Sequence, residues 1–487
     1  MRSVTSRRAL VCAAASLAAV AVPALLALAS SSRAPAATSA APDFARDVAP
    51  IVRETCTACH RIGGIAPFAF RTERDLASRA SLIVAALEER RMPPWPPSTR
   101  SPHYVGQERR TLDARERRIL VGWARAQLAN REPQRRDRPV GAPAPSAATP
   151  QAGETRLELA MPTKYTPAGA NGSTDDYRCF LLDPKLRDDA YVTSALIAPG
   201  ASSIVHHVIL YRLPPASVAE ATALDSRTPG PGWTCFGGPR VGERVDSDPR
   251  GFLGDAGWIA AWAPGSGGDR LRPGTGVWLQ AGSRIVMQVH YNLLNGRRVD
   301  RSRAVLTTVP GDRQLTPVQT VLLPAPVELA CRKGETGPLC DRTAAIFDQA
   351  DRFGADAALA PTGLLFLCGK NAAQPMASAV TTCDRPVDRP MTIQAVAGHM
   401  HLLGRSIRVE LNPGTPRARL LLEIPRWDFH WQAMYQLTRP ERVEPGDVLR
   451  VTCRHDAALR RGKPRYVLWG EGTTDEMCLG ALQVTPQ

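Results

Sequence analysis

Residues 132–153, EPQRRDRPVGAPAPSAATPQAG, divide the chain into two textures that no single fold accommodates. This Pro/Ala-rich stretch has no hydrophobic period and reads as a linker. Before it, over 43–131, helix formers dominate. Leu76–Arg91 carries Leu82, Ala85 and Ala86 at helical spacing, and Asp113–Leu128 carries Ile119, Leu120, Trp123 and Leu128. After residue 154, short alternating runs bounded by Gly and Pro take over: Tyr191–Ile197, Val205–Tyr211, Ile285–Tyr291, Ser406–Leu411, Val448–Cys453 and Tyr466–Trp469. That spacing suggests antiparallel β-sandwiches. With 487 residues, 44% of them hydrophobic, there is room for about three domains. The expected chain is multidomain: a small all-α domain, then all-β sandwiches over 154–318 and 319–487.

The formal net charge of +15 does not point to nucleic acid. Only five of the 61 basic residues are lysines, and the arginines are scattered beside acids, as in Asp113–Arg118, rather than clustered with aromatics. No apolar run after residue 40 approaches the roughly 18–20 residues of a membrane span, which excludes a polytopic membrane protein. At the start, Arg2, Arg7 and Arg8 precede an apolar run from Ala9 to Ala29, with small-residue sites at Ala27-Leu28-Ala29 and Ala34-Pro35-Ala36. Residues 1–36 therefore read as a signal peptide, an uncleaved anchor being the alternative. The mature chain is expected to be periplasmic or secreted, with no stable membrane span. Apart from Cys12 there are ten cysteines, and eight of these lie outside the motif described next. In an oxidising compartment those eight can make four disulfides.

The helical block contains Cys56-Thr57-Ala58-Cys59-His60. Two thiols three residues apart, followed at once by histidine, allow two thioether bonds to haem and place an imidazole under the iron. A zinc or redox CxxC is the alternative. Met92, in Arg91-Met92-Pro93-Pro94-Trp95, is the expected sixth ligand, with His103 as its rival. The block 43–131 resembles a bacterial c-type cytochrome domain, which implies one covalently attached haem c.

Only nine histidines occur, and five fall in three groups: His206-His207, His290 and His399-x-His401. In a strand, positions i and i+2 share a face, so His399 and His401 can grip one metal. Adjacent His206 and His207 face opposite ways in a flat strand and need a strand end or a twist to converge. With His290 they would complete a three-imidazole site suited to copper, zinc or iron. Met477, in Asp475-Glu476-Met477-Cys478, would add a soft sulfur that favours Cu(I). On spacing alone it reads as a core residue rather than a ligand.

Four segments in order, VHHVILYR, QVHYN, HMHLLGR and DEMC, resemble the copper type II ascorbate-dependent monooxygenases, the peptidylglycine α-hydroxylating and dopamine β-monooxygenase family, over roughly 155–487. The resemblance implies two jelly-roll-like sandwiches with one copper each, in separate pockets. His206, His207 and His290 would hold an electron-transfer copper. His399, His401 and Met477 would hold the copper where O2 binds. It also implies disulfides Cys179–Cys235 and Cys453–Cys478; Cys331–Cys340 and Cys368–Cys383 are then expected between the remaining four. Peptide-processing relatives carry an arginine at the position of Ala397 and a tyrosine at that of Ala481, so a glycine-extended peptide is not the expected substrate.

The expected activity is insertion of one atom of O2 into a C–H bond of a small organic substrate. Electrons would be relayed from the haem to the His206/His207/His290 copper, or supplied by an ascorbate-like reductant or a periplasmic redox protein. A non-catalytic electron-transfer or copper-binding protein on the same fold is the alternative. A zinc hydrolase would need an acidic group beside the histidines, and none stands close in sequence. Trp427–Trp431 reads as a core strand with His430 near the second site; His103 and His455 read as surface or loop residues.

Overall fold

The computed structural model describes residues 42–487 apart from 63–65, 130–136, 142–148, 170–172, 242–253, 265 and 267. The signal peptide expected at 1–36 lies outside these residues.

Phe44–Val48 and Ala49–Thr55 form one continuous helical run, capped by the Asp43 carboxylate on the Arg46 N–H. The single helix expected over 76–91 is instead two, Glu73–Ala77 and Ala80–Glu88. At the break the Ser78 hydroxyl donates to the Asp75 carbonyl, the local competition that disfavours serine inside helices. Arg90 turns left-handed, with φ 55°, and ends the second helix. Ala114–Ala129 follows. The buried faces differ from the expected ones. Leu82 and Leu128 are exposed, and the core is built from Phe44, Val48, Val52, Leu76, Leu87, Leu120, Trp123 and Ala124.

Part of the expected linker is not free. Val140 is buried and donates its N–H to the Arg71 carbonyl at 2.8 Å. Arg138 grips Glu73 with two hydrogen bonds, of 2.8 and 3.0 Å, and reaches Asp43 at 3.0 Å. Glu73 is fully buried, so its charge depends on that partner. Between the helices Ala80–Glu88 and Ala114–Ala129, the segment 95–106 crosses to the second sandwich. There Tyr104 bridges Leu437 and Arg100 pairs with buried Glu423.

The first sandwich packs two sheets around Phe180, Val208, Leu210, Met287, Val289 and Leu306. One has the order 155–160, 303–310, 190–198, 275–279, 316–317, with 269–270 paired to 190–198; the other runs 233–234, 175–182, 284–292, 205–213, 258–262. The second sandwich pairs the sheet 319–324, 479–486, 391–399, 435–443 with the sheet 380–386, 448–455, 404–411, 419–424. A helical hairpin, Arg342–Phe353 and Ala355–Leu367, is inserted before the latter. Its two flanks are closed by Cys331–Cys340 and Cys368–Cys383, and Cys179–Cys235 and Cys453–Cys478 are also formed. Of the strands expected, Tyr466–Trp469 shrinks to Val467–Leu468. Trp427–Trp431 is a turn rather than a strand. No helix among the described residues is long and apolar enough to cross a membrane.

Removing the partner of a buried carboxylate costs several kcal/mol. Arg138→Ala is expected to destabilise the helical region by about 3 kcal/mol. Arg138→Lys should recover only part of this, because lysine cannot reproduce the two-pronged contact. Urea unfolding followed by Trp123 fluorescence measures both.

Candidate metal centre

His206 and His207 stand at the start of the strand 205–213, beside His290 on the strand 284–292. Val205 pairs with Tyr291 and His207 with His290, so His206 is an extra residue opposite none. This β-bulge resolves the parity problem. It rotates the strand locally and lets two adjacent side chains reach one point. The Nδ1 atoms converge: His206 to His290 at 3.2 Å and His207 to His206 at 3.3 Å. Nitrogens about 2.0 Å from one ion at tetrahedral angles would be roughly 3.3 Å apart, so the triad fits a single metal. His206, His207 and His290 are also the metal-competent group among the described residues.

The tautomer of His290 is fixed from behind. Its Nε2–H donates to Asp175 Oδ1 at 2.8 Å, which leaves the Nδ1 lone pair for the centre. Tyr177 stacks on the same imidazole at 4.0 Å. Burial alone would raise the Asp175 pKa, but hydrogen bonds from His290 and Thr473 outweigh it and the net shift is downward. Asp175 also takes the Thr473 N–H at 3.0 Å and the Thr473 hydroxyl, and Thr473 belongs to the second sandwich.

His399 closes the strand 391–399, and His401 lies two residues on, its ring 5.1 Å from that of His399 and nearly perpendicular. Each uses Nδ1 outward. His399 Nδ1–H donates to Gln432 Oε1 at 2.6 Å, and His401 Nδ1 faces the Asp475 carbonyl at 3.3 Å. Gln432 is itself oriented by an Nε2–H bond to the Phe429 carbonyl. His401 Nε2 is consequently buried with no partner. A buried ring nitrogen stripped of hydrogen bonds is costly unless something binds it, which is the condition a metal ligand satisfies.

Met477 is buried, two residues before Leu479, which faces His399 in the sheet. Glu476 holds the two segments together: its carboxylate accepts the N–H groups of His401, Leu403 at 2.7 Å and Met477 at 2.8 Å. Burial pushes the Glu476 pKa up to about 8, against the pull of those three donors. His455 corrects its expected surface position. It is buried, and its Nε2 donates to the Met477 carbonyl at 3.3 Å. A glycine is required where the loop returns, because a Cβ on Gly404 would stand 2.7 Å from Trp427 Cδ1, and Trp427 Nε1 donates to the His401 carbonyl at 3.2 Å.

The two histidine sets do not sit in separate pockets. His207 and His399 are 6.2 Å apart between ring centroids, and Phe429 stacks on His206 at 4.0 Å while facing His401 edge-on at 6.1 Å. His430, the expected neighbour, is exposed and paired with Asp428 at 3.1 Å instead. Desolvation holds His206, His207 and His401 well below the ordinary histidine pKa and brings His399 down to about 4. These four imidazoles are therefore neutral at physiological pH, the form that binds a metal. Asp175 and Gln432 carried no sequence signal, and Phe429 and Glu476 lay in segments singled out for their neighbours His430 and Met477.

In the helical region Cys56 and Cys59 are free and half-buried. His60 stacks on Phe70 at 4.5 Å and its Nδ1 meets the Phe68 carbonyl at 3.1 Å, which leaves Nε2 available. Met92 and Cys56 border the same helical core. His103, the rival to Met92, lies in the strap on the second sandwich, where its carbonyl accepts the Thr438 N–H.

Comparison by structure returns VP2 of infectious bursal disease virus, 9% identical over 69% of this chain and 72% of that one with TM-score 0.17. It also returns procruciferin from Brassica napus (9%, 68% and 84%, TM-score 0.13) and oxalate decarboxylase from Bacillus subtilis (9%, 71% and 80%, TM-score 0.12). At such scores these likenesses carry no argument. No curated protein matches the sequence. Residues 368–482 match the family described as copper type II ascorbate-dependent monooxygenase, C-terminal domain, and this match, which contains His399, His401 and Met477, supports copper-dependent monooxygenase chemistry for the second sandwich.

Proposed function

We propose that the chain is an exported monooxygenase that places one atom of O2 in a C–H bond of a small organic substrate. The carrying observation is the convergence of two histidine sets inside and beside the matched domain, with His290, His399 and His401 each oriented by a partner behind the ring. His206, His207 and His290 would hold one copper through Nδ1. His399 and His401 would hold a second through Nε2, with Met477 as the sulfur donor. Bound copper supplies one-electron redox chemistry and O2 activation. The chain's own contribution is orientation and dryness. Asp175 and Gln432 set which nitrogen faces inward, Glu476 ties the H-x-H loop to the methionine segment, and Phe429 fills the space between the sets. Four disulfides fit an oxidising compartment.

A zinc hydrolase is disfavoured by what the nearby acids are already doing. Asp175 is committed to His290 and Thr473, and Glu476 to three backbone N–H groups. Neither is free to activate water. The substrate is not expected to present a carboxylate at the strand pair 391–399 and 479–486. Ala397 and Ala481 face each other there, where peptide-processing relatives carry arginine and tyrosine. In the helical region, free Cys56 and Cys59 with His60 Nε2 open suit a covalently attached haem c, and Met92 would be its sixth ligand. The haem would supply electrons one at a time.

Purified protein is expected to contain two coppers and one haem c per chain, measured by metal analysis and the alkaline pyridine spectrum. With substrate and ¹⁸O2, one labelled oxygen should enter the product, and Met477→Ile should abolish this. Label arriving from water would refute the reading. Asp175→Ala removes the acceptor that fixes His290, so Cu(I) affinity at the first triad should fall roughly 10- to 100-fold in a chelator competition.

A further inference from the structure

Trp95, three residues beyond Met92, leaves the helical region and meets the second sandwich. Its ring stands edge-on to Tyr435 at 5.4 Å and 6.0 Å from Tyr104, and these two tyrosines are 5.2 Å apart. Both tyrosines are buried. The backbone follows the rings. Tyr104 bridges Leu437, Val105 N–H donates to the Gln436 carbonyl at 2.8 Å, and Thr438 N–H donates to the His103 carbonyl at 3.1 Å. The strap thus adds an edge to the strand 435–443, in the manner of strand addition. It is pinned further by Glu423, which accepts from the Ser98 hydroxyl at 2.7 Å and from Arg100 Nε at 2.9 Å.

Arg110 packs on this contact, its guanidinium 5.5 Å over the Trp95 ring. On the far side, Tyr435 faces Val396 in the sheet, three residues before His399. Three residues back along its own chain is Gln432, which holds His399 Nδ1 at 2.6 Å. Between the Met92 backbone and the His399 imidazole the route crosses one ring contact and one hydrogen bond; the rest is covalent. The strap's hydrogen bonds to a sandwich named above all go to the second one.

We infer that Trp95 and Tyr435 form the electron entry from haem at Cys56, Cys59 and His60 to the His399/His401/Met477 centre, rather than to the His206/His207/His290 triad. The inference rests on the haem and copper reading given above. The step moves one electron: ferrous haem becomes ferric and a cupric ion becomes cuprous, and no proton or bond is exchanged. This route differs from the relay expected from sequence, which ended at the first triad.

Flash reduction of the haem in the copper(II)-loaded full chain, followed by loss of the ferrous haem band, tests the route. Trp95→Leu should slow haem oxidation roughly tenfold or more, and Trp95→Phe should restore most of the rate. Tyr435→Leu probes the other side of the contact, should the first variant fold poorly. A merely structural role would shift the haem spectrum, its potential, or the rate at which ascorbate reduces copper, and all three should hold at wild-type values. His399→Ala should remove the fast phase while His206→Ala keeps it. Wild-type rates in Trp95→Leu and Tyr435→Leu, or the reverse outcome for the two histidine variants, would overturn the route alone. A chain lacking haem c would overturn the haem reading itself.

Discussion

The Asp175 carboxylate is the constraint on which the centre depends. One oxygen takes the Nε2–H of His290 and so decides which nitrogen of that ring faces the other histidines. The same group takes the backbone N–H and hydroxyl of Thr473, two residues before Asp475 and four before Met477. A single buried charge therefore orients an imidazole in one sandwich and positions the methionine segment of the other. A buried carboxylate tolerates this only because its acceptor sites are filled by polar donors that cannot leave without stranding it. Tyr177 adds a second tie, stacking on His290 and donating its hydroxyl to the Glu471 carbonyl at 2.7 Å.

The second consequence is electrostatic. Desolvation makes charging His206, His207, His399 or His401 costly. The neutral set presents lone pairs rather than cations, and the hydrogen bonds behind the rings then sort those lone pairs. Outward Nδ1 bonds on His399 and His401 and an outward Nε2 bond on His290 give the two sets opposite ring orientations. The two histidine groups are therefore different environments, although they share Phe429 as a wall.

Much of this was legible in the sequence, for identifiable reasons. Motif residues were visible because their chemistry is rare: nine histidines in a chain of 487, five of them in three tight groups, leave little room for chance. Strands such as 404–411 and 448–455 followed from alternation, since one sheet face is buried. What failed was whatever depends on a local exception or a distant partner. The bulge at His206 has no sequence marker, yet it alone lets adjacent histidines share a site. Ser78 broke a helix that periodicity ran straight through. Phe429 rather than His430 turned toward the histidines because the segment is a turn, where the parity argument for strands does not apply. His455 looked like a loop residue, but it ends a strand and supports Met477 from behind.

The linker illustrates the same point at larger scale. Composition marked 132–153 as featureless, and its Pro/Ala content does lack a period. Yet Arg138 and Val140 in its midst are anchored to the helices. A flexible tether of that length would raise the effective concentration of one domain near another without fixing which face it meets. A strap of paired backbone and stacked rings fixes that face. Arg100 and Ser98 on a buried carboxylate, with Tyr104 seated beside Tyr435, hold the segment after Met92 against the sheet that carries His399. Two modules that each have their own core are thus placed by a few short-range contacts, and those contacts, rather than linker length, determine which centre the helical region faces.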